Sequence, residues 1–550
     1  MVHMVPSSWF RGPRWLYLVA LTVLAVGAWW GLPHSESWAS DSVSPRSTSL
    51  FAIALPYWWG HFHTYPPLHL LLLTVLGLPL TLIVVVSALL THQTIESALL
   101  HPASMTAFEV VARAVAIFMA VGIVDCTHRI WSRLENAQVG ALAGLCVVGV
   151  VPWAYYGKVG NVDVPSVFWV CLALEQVLHL SFAPGDAPRT ERRALVLATM
   201  AVLTKDQVAG ALLVPIAWMV LAQPFGVFRV SLWKSVALCF GLYIVISGAL
   251  VNPAGWLARM RFIFGPASQD WAAYERSLGG RIAMMRDIVN RIPELTSWPS
   301  AALAIVGIGT CMVNRRRRRH LLPLASAVSF TATFNVLALR SEHRFLLVQT
   351  VLLAPYAALV PSLAYGSNRA RVVGYAAFFV GWLASLRNVA CLDATLVVDS
   401  RYGAEHFLAT LPEHARVEIL GGAKFFPRFP RHLQLARVGL DAPQTRSGIP
   451  GVREELGDPR MLDVRRPDYV VLSAEFATPE FLFSTEHRGP PVDSRTVEFV
   501  HGLEDGRLGY ALAYRSACSL SWPLRCIRLH SCTGGSIAIF KSSGATAVSP

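Results

Sequence analysis

Val139-Gly-Ala-Leu-Ala-Gly-Leu-Cys-Val-Val-Gly-Val-Val-Pro-Trp-Ala-Tyr155 is followed by Tyr156-Gly-Lys-Val-Gly-Asn-Val-Asp163 and then by a second apolar run, Val164 to Phe182. A helix needs roughly 17–25 mostly apolar residues to cross a bilayer core. Each run meets that length, and the polar step between them is too short to be a domain. The pair therefore reads as a helical hairpin through a membrane. Working outward, runs of this kind recur from Trp15 to about Cys391 and then stop. Of the 550 residues, 54% are hydrophobic and 15% charged, with a mean hydropathy of +0.47. These values exclude a soluble enzyme and a disordered chain, and the long runs exclude a porin, whose strands are short and alternating. The net charge of +13 includes the run Arg315 to Arg319, wedged between two apolar stretches. That run reads as a cytoplasmic anchor, and no nucleic-acid partner is expected.

The nine cysteines form no framework. Cys126, Cys146, Cys171, Cys239 and Cys311 lie in or beside apolar runs, where cysteine acts as a small hydrophobe. Cys518, Cys526 and Cys532 cluster; in an oxidising compartment two could pair, in an order the sequence leaves open. The first run, Trp15 to Leu32, follows Arg11 and Arg14 and continues through Trp29 and Trp30 without a small-x-small cleavage site. It reads as a retained signal anchor.

Orientation follows from placing basic loops in the cytoplasm. Arg11 and Arg14 send the first run outward, and Arg129 and Arg133 must lie inside after a crossing from about Phe108 to Asp125. Everything from Pro33 to Thr106 then begins and ends outside, so the apolar stretch Pro66 to Leu90 is expected to lie in the interface or to dip in and return. Val164 to Phe182 runs in to Arg189, Arg192 and Arg193. Ala194 to Ala222 is broken by Thr204, Lys205, Asp206 and Gln207 and reads as two short helices meeting at the outer face, because unpaired charge at mid-bilayer is expensive. Ser235 to Val251 runs out, and Asn252 to Trp298 reads as an outer polar loop. Ser300 to Val313, Leu321 to Leu339, Phe345 to Tyr365 and Val372 to Leu386 complete about eleven crossings.

Residues 1–392 thus form a polytopic α-helical transmembrane domain with interfacial helices, its N-terminus cytoplasmic. Residues 393–550 form a soluble extracytoplasmic domain. In the latter, Arg416-Val-Glu-Ile-Leu-Gly-Gly422 and Pro467-Asp-Tyr-Val-Val-Leu-Ser473 look like buried strands ending in turns. Asp399 to Leu411 has helical spacing, which makes the tail α/β.

Polar residues at helix ends converge on the outer side. The first outer loop carries Glu36, Asp41, His61, His63, Tyr65 and His69, and the second carries Lys158, Asn161 and Asp163. Lys205 and Asp206 occupy the third, and Arg340, Glu342, His343 and Arg344 another. Cations with a few carboxylates around one cavity suit an anionic lipid phosphate and a general base. Arg and Lys neutralise a phosphate leaving group, and a carboxylate takes a proton from an attacking hydroxyl.

Trp38-Ala-Ser-Asp41, His63-Thr-Tyr-Pro-Pro-Leu-His69, Tyr155-Tyr-Gly-Lys-Val-Gly-Asn-Val-Asp163 and Leu203-Thr-Lys-Asp206 follow one another in the order seen in bacterial polytopic glycosyltransferases with the GT-C fold. The chain from Trp15 to Cys391 resembles that superfamily, in particular protein O-mannosyltransferases and the aminoarabinose transferases that modify lipid A. The resemblance implies a polyprenyl-phosphate-linked sugar donor, an acidic base in the first outer loop, and inversion at the anomeric carbon. Asp41 matches that acid. The family often has a second acid directly after it, where this chain has Ser42. A hard cation wants several oxygen ligands, so a bound divalent metal has no support here and no cofactor is expected.

The sequence thus predicts an inner-membrane glycosyltransferase moving a hexosyl or pentosyl group to a protein, lipid or glycan acceptor at the outer face. Asp41 and Asp163 are the candidate catalytic acids. Lys158, Lys205, Arg340 and Arg344 are the candidate phosphate ligands, and Tyr65, His69 and Asn161 would position substrate. Each has a plainer rival. Asp41 reads equally as an N-cap or a solvated loop acid, and Asp163 opens a helix, where an acid favours the dipole. Arg340 and Arg344 read also as surface anchors. The histidines have zinc-like chemistry without a known spacing. A transporter or flippase, which also uses broken helices, is the alternative from another class; it requires inverted repeats and ionisable groups inside several spans, and the sequence offers neither.

Overall fold

The computed structural model describes residues 12–33, 38, 57–63, 65–182, 187–222, 229–265, 272–363, 368–440, 442–443, 451–473, 476, 494–516 and 536–544. Asp41, Ser42, Glu36 and the cysteines 518, 526 and 532 lie outside the described residues.

The apolar runs fold as helices because a chain in hydrocarbon must satisfy every backbone group internally. In order they are α1 (Arg14–Ala25), α2 (Leu68–Leu90), α3 (Pro102–Leu134), α4 (Ala137–Val148), α5 (Asp163–Phe182), α6 (Ala187–Thr204), α7 (Ala209–Leu221) and α8 (Val230–Ile246). Next come α9 (Pro253–Phe264), α10 (Leu278–Leu295), α11 (Trp298–Val313), α12 (Leu321–Phe330), α13 (Leu347–Leu353) and α14 (Asn368–Val397). Among the described residues, six helical stretches are long and apolar enough to cross a membrane, or seven if the bent α10–α11 pair is one span. Four further apolar helices, Arg14–Ala25, Ala137–Val148, Asp206–Leu221 and Val230–Ile246, are shorter. The chain is a multi-pass membrane protein.

One expectation is narrowed and another corrected. Of the two courses expected for Pro66 to Leu90, the dip and return drops out, because α2 is one unbroken 23-residue helix, with Pro79 inside it. It packs on the first half of α3, Leu73 against Ala112 and also against Val162 before α5, and Gly77 beside Phe108, where a Cβ would meet the ring at an ordinary contact distance of 3.5 Å. Asn252 to Trp298 is not a polar loop, because it contains α9 and α10. The sequence marks both starts: Asn252 accepts from Gly255 N before Pro253, and Ser277 accepts from Gly280 N, each an N-cap. α10 turns by 113° into α11 and leaves Leu278, Ile282 and Val289 exposed, the mark of a helix lying along an interface.

Ion pairs sort the loops into two faces. On one, Arg133 pairs with Glu175 at 2.8 Å, Arg317 and His320 with Glu135 at 2.9 Å, and Arg229 with Glu191. Arg319 lies 4.6 Å over the Phe182 ring. The basic loops therefore share a face. On the other, the tail side, Lys205 pairs with Asp163 and Arg259 with Asp206.

Lys158 holds the tail side together. It is fully buried, and its Nζ donates to Val23 O and Val26 O, 2.7 Å each, and to Asp393 Oδ1 at 2.5 Å. The carbonyls of a last helical turn lack intrahelical partners, and a cation there also opposes the negative end of the helix dipole. One ammonium thus ties the end of α1, the loop between α4 and α5, and α14. All three of its donors are engaged, so the expected phosphate-binding role of Lys158 is corrected to a structural one.

Past Asp393, α14 runs on to Val397 and hands over to α15 (Ser400–Ala409), capped by Asp399. The α/β tail domain follows, with strands β1 (Arg416–Leu420), β2 (Gln434–Gly439), β3 (Val452–Leu456), β4 (Tyr469–Leu472), β5 (Tyr510–Ser516) and β6 (Ile537–Ser542), and α16 (Ser494–Glu504) between β4 and β5. The sheet order is β3-β2-β1-β4-β6-β5, its first four strands parallel and the last two antiparallel. Val471 packs with Ala404 and Leu408 of α15, and its neighbour Val470 with Phe499 and Val500 of α16. Both faces are covered, as a parallel sheet requires.

Removing one partner of a buried pair costs about 3–5 kcal/mol, whereas replacing both by apolar groups is often neutral. Lys158→Met should therefore lower thermal stability sharply, and adding Asp393→Leu should restore most of it, as read by thermal unfolding of the purified chain. Reporter fusions after Arg133, Arg193 and Arg319 should report cytoplasm, and fusions at Asn252 and Asp399 the outside. An outside signal at Arg133 would mean that α2 crosses fully.

Candidate functional site

The broken segment after α6 creates the site. Thr204 ends α6, Lys205 is extended (φ −157°, ψ 115°), and Asp206 starts a short 3₁₀ turn that leads into α7. The break points two adjacent side chains in different directions: Lys205 to the Asp163 carboxylate at the start of α5, and Asp206 to Arg259 of α9. Asp163 is set by the turn before it, where its N–H donates to Asn161 Oδ1.

A second break brings the arginines. Leu339, at φ 53°, ends the helical stretch after α12, and Asn335 holds the turn by accepting from Arg340 N at 3.3 Å through its carbonyl and donating from Nδ2 to Arg340 O at 2.8 Å. Gln349 of α13 donates to Asn335 Oδ1 at 2.7 Å. The fixed turn presents Arg340, Glu342, Arg344 and Phe345. Arg340 and Arg344 each lie 4.5 Å from the centroid of the buried Phe345 ring, and Lys205 Nζ lies 5.3 Å from it. A ring face attracts cations through its quadrupole, so Phe345 gathers three like charges. Glu342 pairs with Arg340 at 3.0 Å and approaches Arg344 at 4.0 Å.

Together Lys205, Arg259, Arg340 and Arg344 face Asp163, Asp206 and Glu342, four cations against three carboxylates. Arg259 is fully buried, and its Nε and Nη1 have no acceptor among the described residues. Two such donors in a fixed fork suit a phosphate oxygen. Beside it, burial and the Arg259 charge push the His63 pKa down to about 4, so the ring is neutral at neutral pH.

Of the residues expected from sequence, Lys205, Arg340, Arg344 and Asp163 come together on the tail side. Asn161 shapes the Asp163 turn. Tyr65 packs with Leu73, Ala112 and Val162. His69 is buried on α2, and neither ring nitrogen is hydrogen-bonded among the described residues. Lys158 stands apart, tied to α1 and Asp393, and Asp41 lies outside the described residues. Sequence reasoning missed Arg259 and Phe345. The Asn252-Pro253 cap could have revealed the helix that carries Arg259, whereas Phe345 gave no signal. Among the described residues, no group of three or more His, Cys, Asp or Glu could hold a metal.

No family model and no curated protein matches the sequence. Among solved structures, the chain is similar to ArnT from Cupriavidus metallidurans in the apo state, at 14% identity and TM-score 0.49, covering 96% of this chain and 97% of that one. ArnT bound to undecaprenyl phosphate gives 14% and 0.49, covering 98% and 99%. The archaeal oligosaccharyltransferase AglB from Archaeoglobus fulgidus, in complex with an inhibitory peptide and a dolichol-phosphate, gives 12% and 0.41, covering 96% and 78%. The arabinofuranosyltransferase AftD from Mycobacteria gives 15% and 0.45, covering 97% of this chain and 40% of that one.

Arg340 and Arg344 are partly exposed and share one carboxylate, so Arg340→Gln and Arg344→Gln should leave expression and thermal stability nearly unchanged. Each should weaken binding of a phosphate-bearing lipid by about tenfold or more. A charge-assisted hydrogen bond contributes roughly 1.5–3 kcal/mol, and about 1.4 kcal/mol is one decade. Titration of the purified variants with a lipid phosphate provides the check.

Proposed function

We propose that this chain is a membrane glycosyltransferase that moves a hexosyl or pentosyl group from a polyprenyl-phosphate-linked donor to an acceptor hydroxyl. The acceptor, on a protein, lipid or glycan, lies at the outer face of a bacterial inner membrane. The observation that carries this reading is the gathering of Lys205, Arg340 and Arg344 around Phe345, at one end of a helical bundle, where a lipid phosphate would sit. The order of the Trp38, His63, Tyr155 and Leu203 motifs supports the same reading.

In this mechanism Arg259, Arg340 and Arg344 hold the donor phosphate. Asp41 takes the proton of the acceptor hydroxyl, whose oxygen attacks the anomeric carbon from the face opposite the phosphate. The anomeric C–O bond to phosphate breaks with its electron pair on the phosphate oxygen, which leaves polyprenyl phosphate and an inverted glycoside. The cations stabilise charge that develops on the leaving oxygen, an effect strongest where donors are fixed beforehand and water is excluded. Asp163, restrained by Lys205, positions sugar or acceptor. A transporter reading gains no specific observation: among the described residues, the buried ion pairs of the bundle gather towards its two ends.

Mass spectrometry of lipid-linked sugars and surface glycans, in cells with and without the gene, tests the class. Loss of one hexose or pentose with accumulation of its polyprenyl carrier is expected, and an unchanged profile under expression would refute it. A positioned base contributes about 10²–10⁴-fold, so Asp41→Asn should lower turnover by that order while donor binding survives. If Asp163→Asn alone abolishes turnover, the base is misassigned.

A further inference from the structure

We infer that the C-terminal domain is a positioning element for the first outer loop, acting through a cage that it builds around Trp38. The inference rests on the glycosyltransferase reading above, in which that loop carries the base three residues beyond Trp38.

Trp38 is 2% exposed, and the groups around it come from both domains. The Arg401 guanidinium lies 4.2 Å from its ring centroid and that of Arg428 5.3 Å. The Tyr402 ring stands 5.2 Å away at 58°, and the Trp30 ring 6.1 Å away at 68°. Gly31 closes the remaining side: it has φ +72°, and a Cβ there would sit 2.9 Å from the indole. Arg401 and Tyr402 belong to α15, and Arg428 to the segment between β1 and β2. Trp30 and Gly31 follow α1.

Every wall of the cage is itself held. Arg401 grips Asp399 with two bonds, 2.8 and 2.7 Å, and donates to Lys424 O at 2.7 Å. Trp30 Nε1 donates to the same Asp399 at 3.0 Å. Arg428 Nε donates to Glu405 at 2.6 Å, and its Nη1 to Pro33 O at 3.0 Å. Tyr402 Oη accepts from Gly31 N at 2.9 Å. Each arginine has its own carboxylate, Asp399 for Arg401 and Glu405 for Arg428, so among the described residues the cage shows no surplus charge for an anion. Its chemistry is that of a clamp: planar cations over an indole face give strong, directional contacts when desolvated.

The clamp reaches the tail domain through α15, whose Ala404 and Leu408 pack on the sheet with Val417 and Ile419. Attachment alone does not call for it, because α14 already leads almost directly into α15. What the cage adds is a fixed point in the segment that enters Trp38-Ala-Ser-Asp41. Three residues reach at most about 11 Å, so freedom at Trp38 passes directly to Asp41.

The test uses the full chain reconstituted in lipid nanodiscs, with Trp38→Phe, Trp38→Leu and Arg428→Gln. Hydrogen exchange of residues 34–56 should rise in Trp38→Leu and Arg428→Gln, with exchange in α3 and α5 unchanged. Misplacing a catalytic group by about 1 Å can cost about 100-fold. Turnover of a polyprenyl-phosphoryl sugar should accordingly fall about 10- to 100-fold in kcat, with donor KM within about twofold, and Trp38→Phe should recover part of it. Unchanged exchange in 34–56, or raised exchange with unchanged kcat, overturns the inference. Should Trp38→Leu fail to fold, Arg428→Gln carries the same readouts from the rim of the cage. If the unmodified chain turns over no such donor, the glycosyltransferase reading fails by itself, and with it the link to a base. The exchange arm then still decides whether the tail domain restrains the loop.

Discussion

A single buried ammonium sets the geometry on which the tail side depends. Lys158 ties the last carbonyls of α1 to Asp393 on α14, and it sits in the loop that ends five residues later at Asp163. Placing an ammonium in a low-dielectric interior is costly unless hydrogen bonds and an opposite charge compensate it. Two backbone carbonyls and one carboxylate do so here. Because that compensation requires α1, the Lys158 loop and α14 at once, the start of α5 is fixed relative to the helix that leads into the tail domain. Asp163 inherits that placement, and Lys205 inherits it through Asp163.

The cluster around Phe345 follows a different logic. Lys205, Arg340 and Arg344 each approach one ring, and among the described residues Asp163 pairs with Lys205, and Glu342 with Arg340 and Arg344. Two helix breaks, at Lys205 and at Leu339, supply the side chains. Each break frees backbone groups that an unbroken helix would have satisfied, and the local turns recover them, as in the Asn335 contacts with Arg340.

Much of this was legible in the sequence, for definable reasons. Bilayer thickness fixes the length of an apolar run, so the helices from Trp15 onward could be read off. The break at Lys205 was readable because adjacent charges at mid-membrane are expensive. The strands Arg416–Leu420 and Tyr469–Leu472 were readable from short apolar runs that end in turn residues. Lys158 was misread because sequence proximity grouped it with the polar loop, whereas its carboxylate partner lies 235 residues away. Phe345 was missed because a cation–π contact is a tertiary fact with no local pattern. Arg259 was missed because the helix that carries it was read as loop, although an Asn-Pro cap marked its start. The role of α2 was underdetermined because an apolar stretch between two outer segments fits more than one course.

The central claim is that the tail-side cations recognise the phosphate of a polyprenyl lipid, and a binding comparison on the unmodified purified chain tests it most directly. Polyprenyl phosphate and the matching neutral polyprenol share the same hydrocarbon tail, so any difference between them belongs to the phosphate. Two charge-assisted contacts at roughly 1.5 kcal/mol each amount to about two decades. The chain in nanodiscs should therefore bind the phosphate about 100-fold more tightly than the alcohol. Equal affinity for the two lipids would contradict the account.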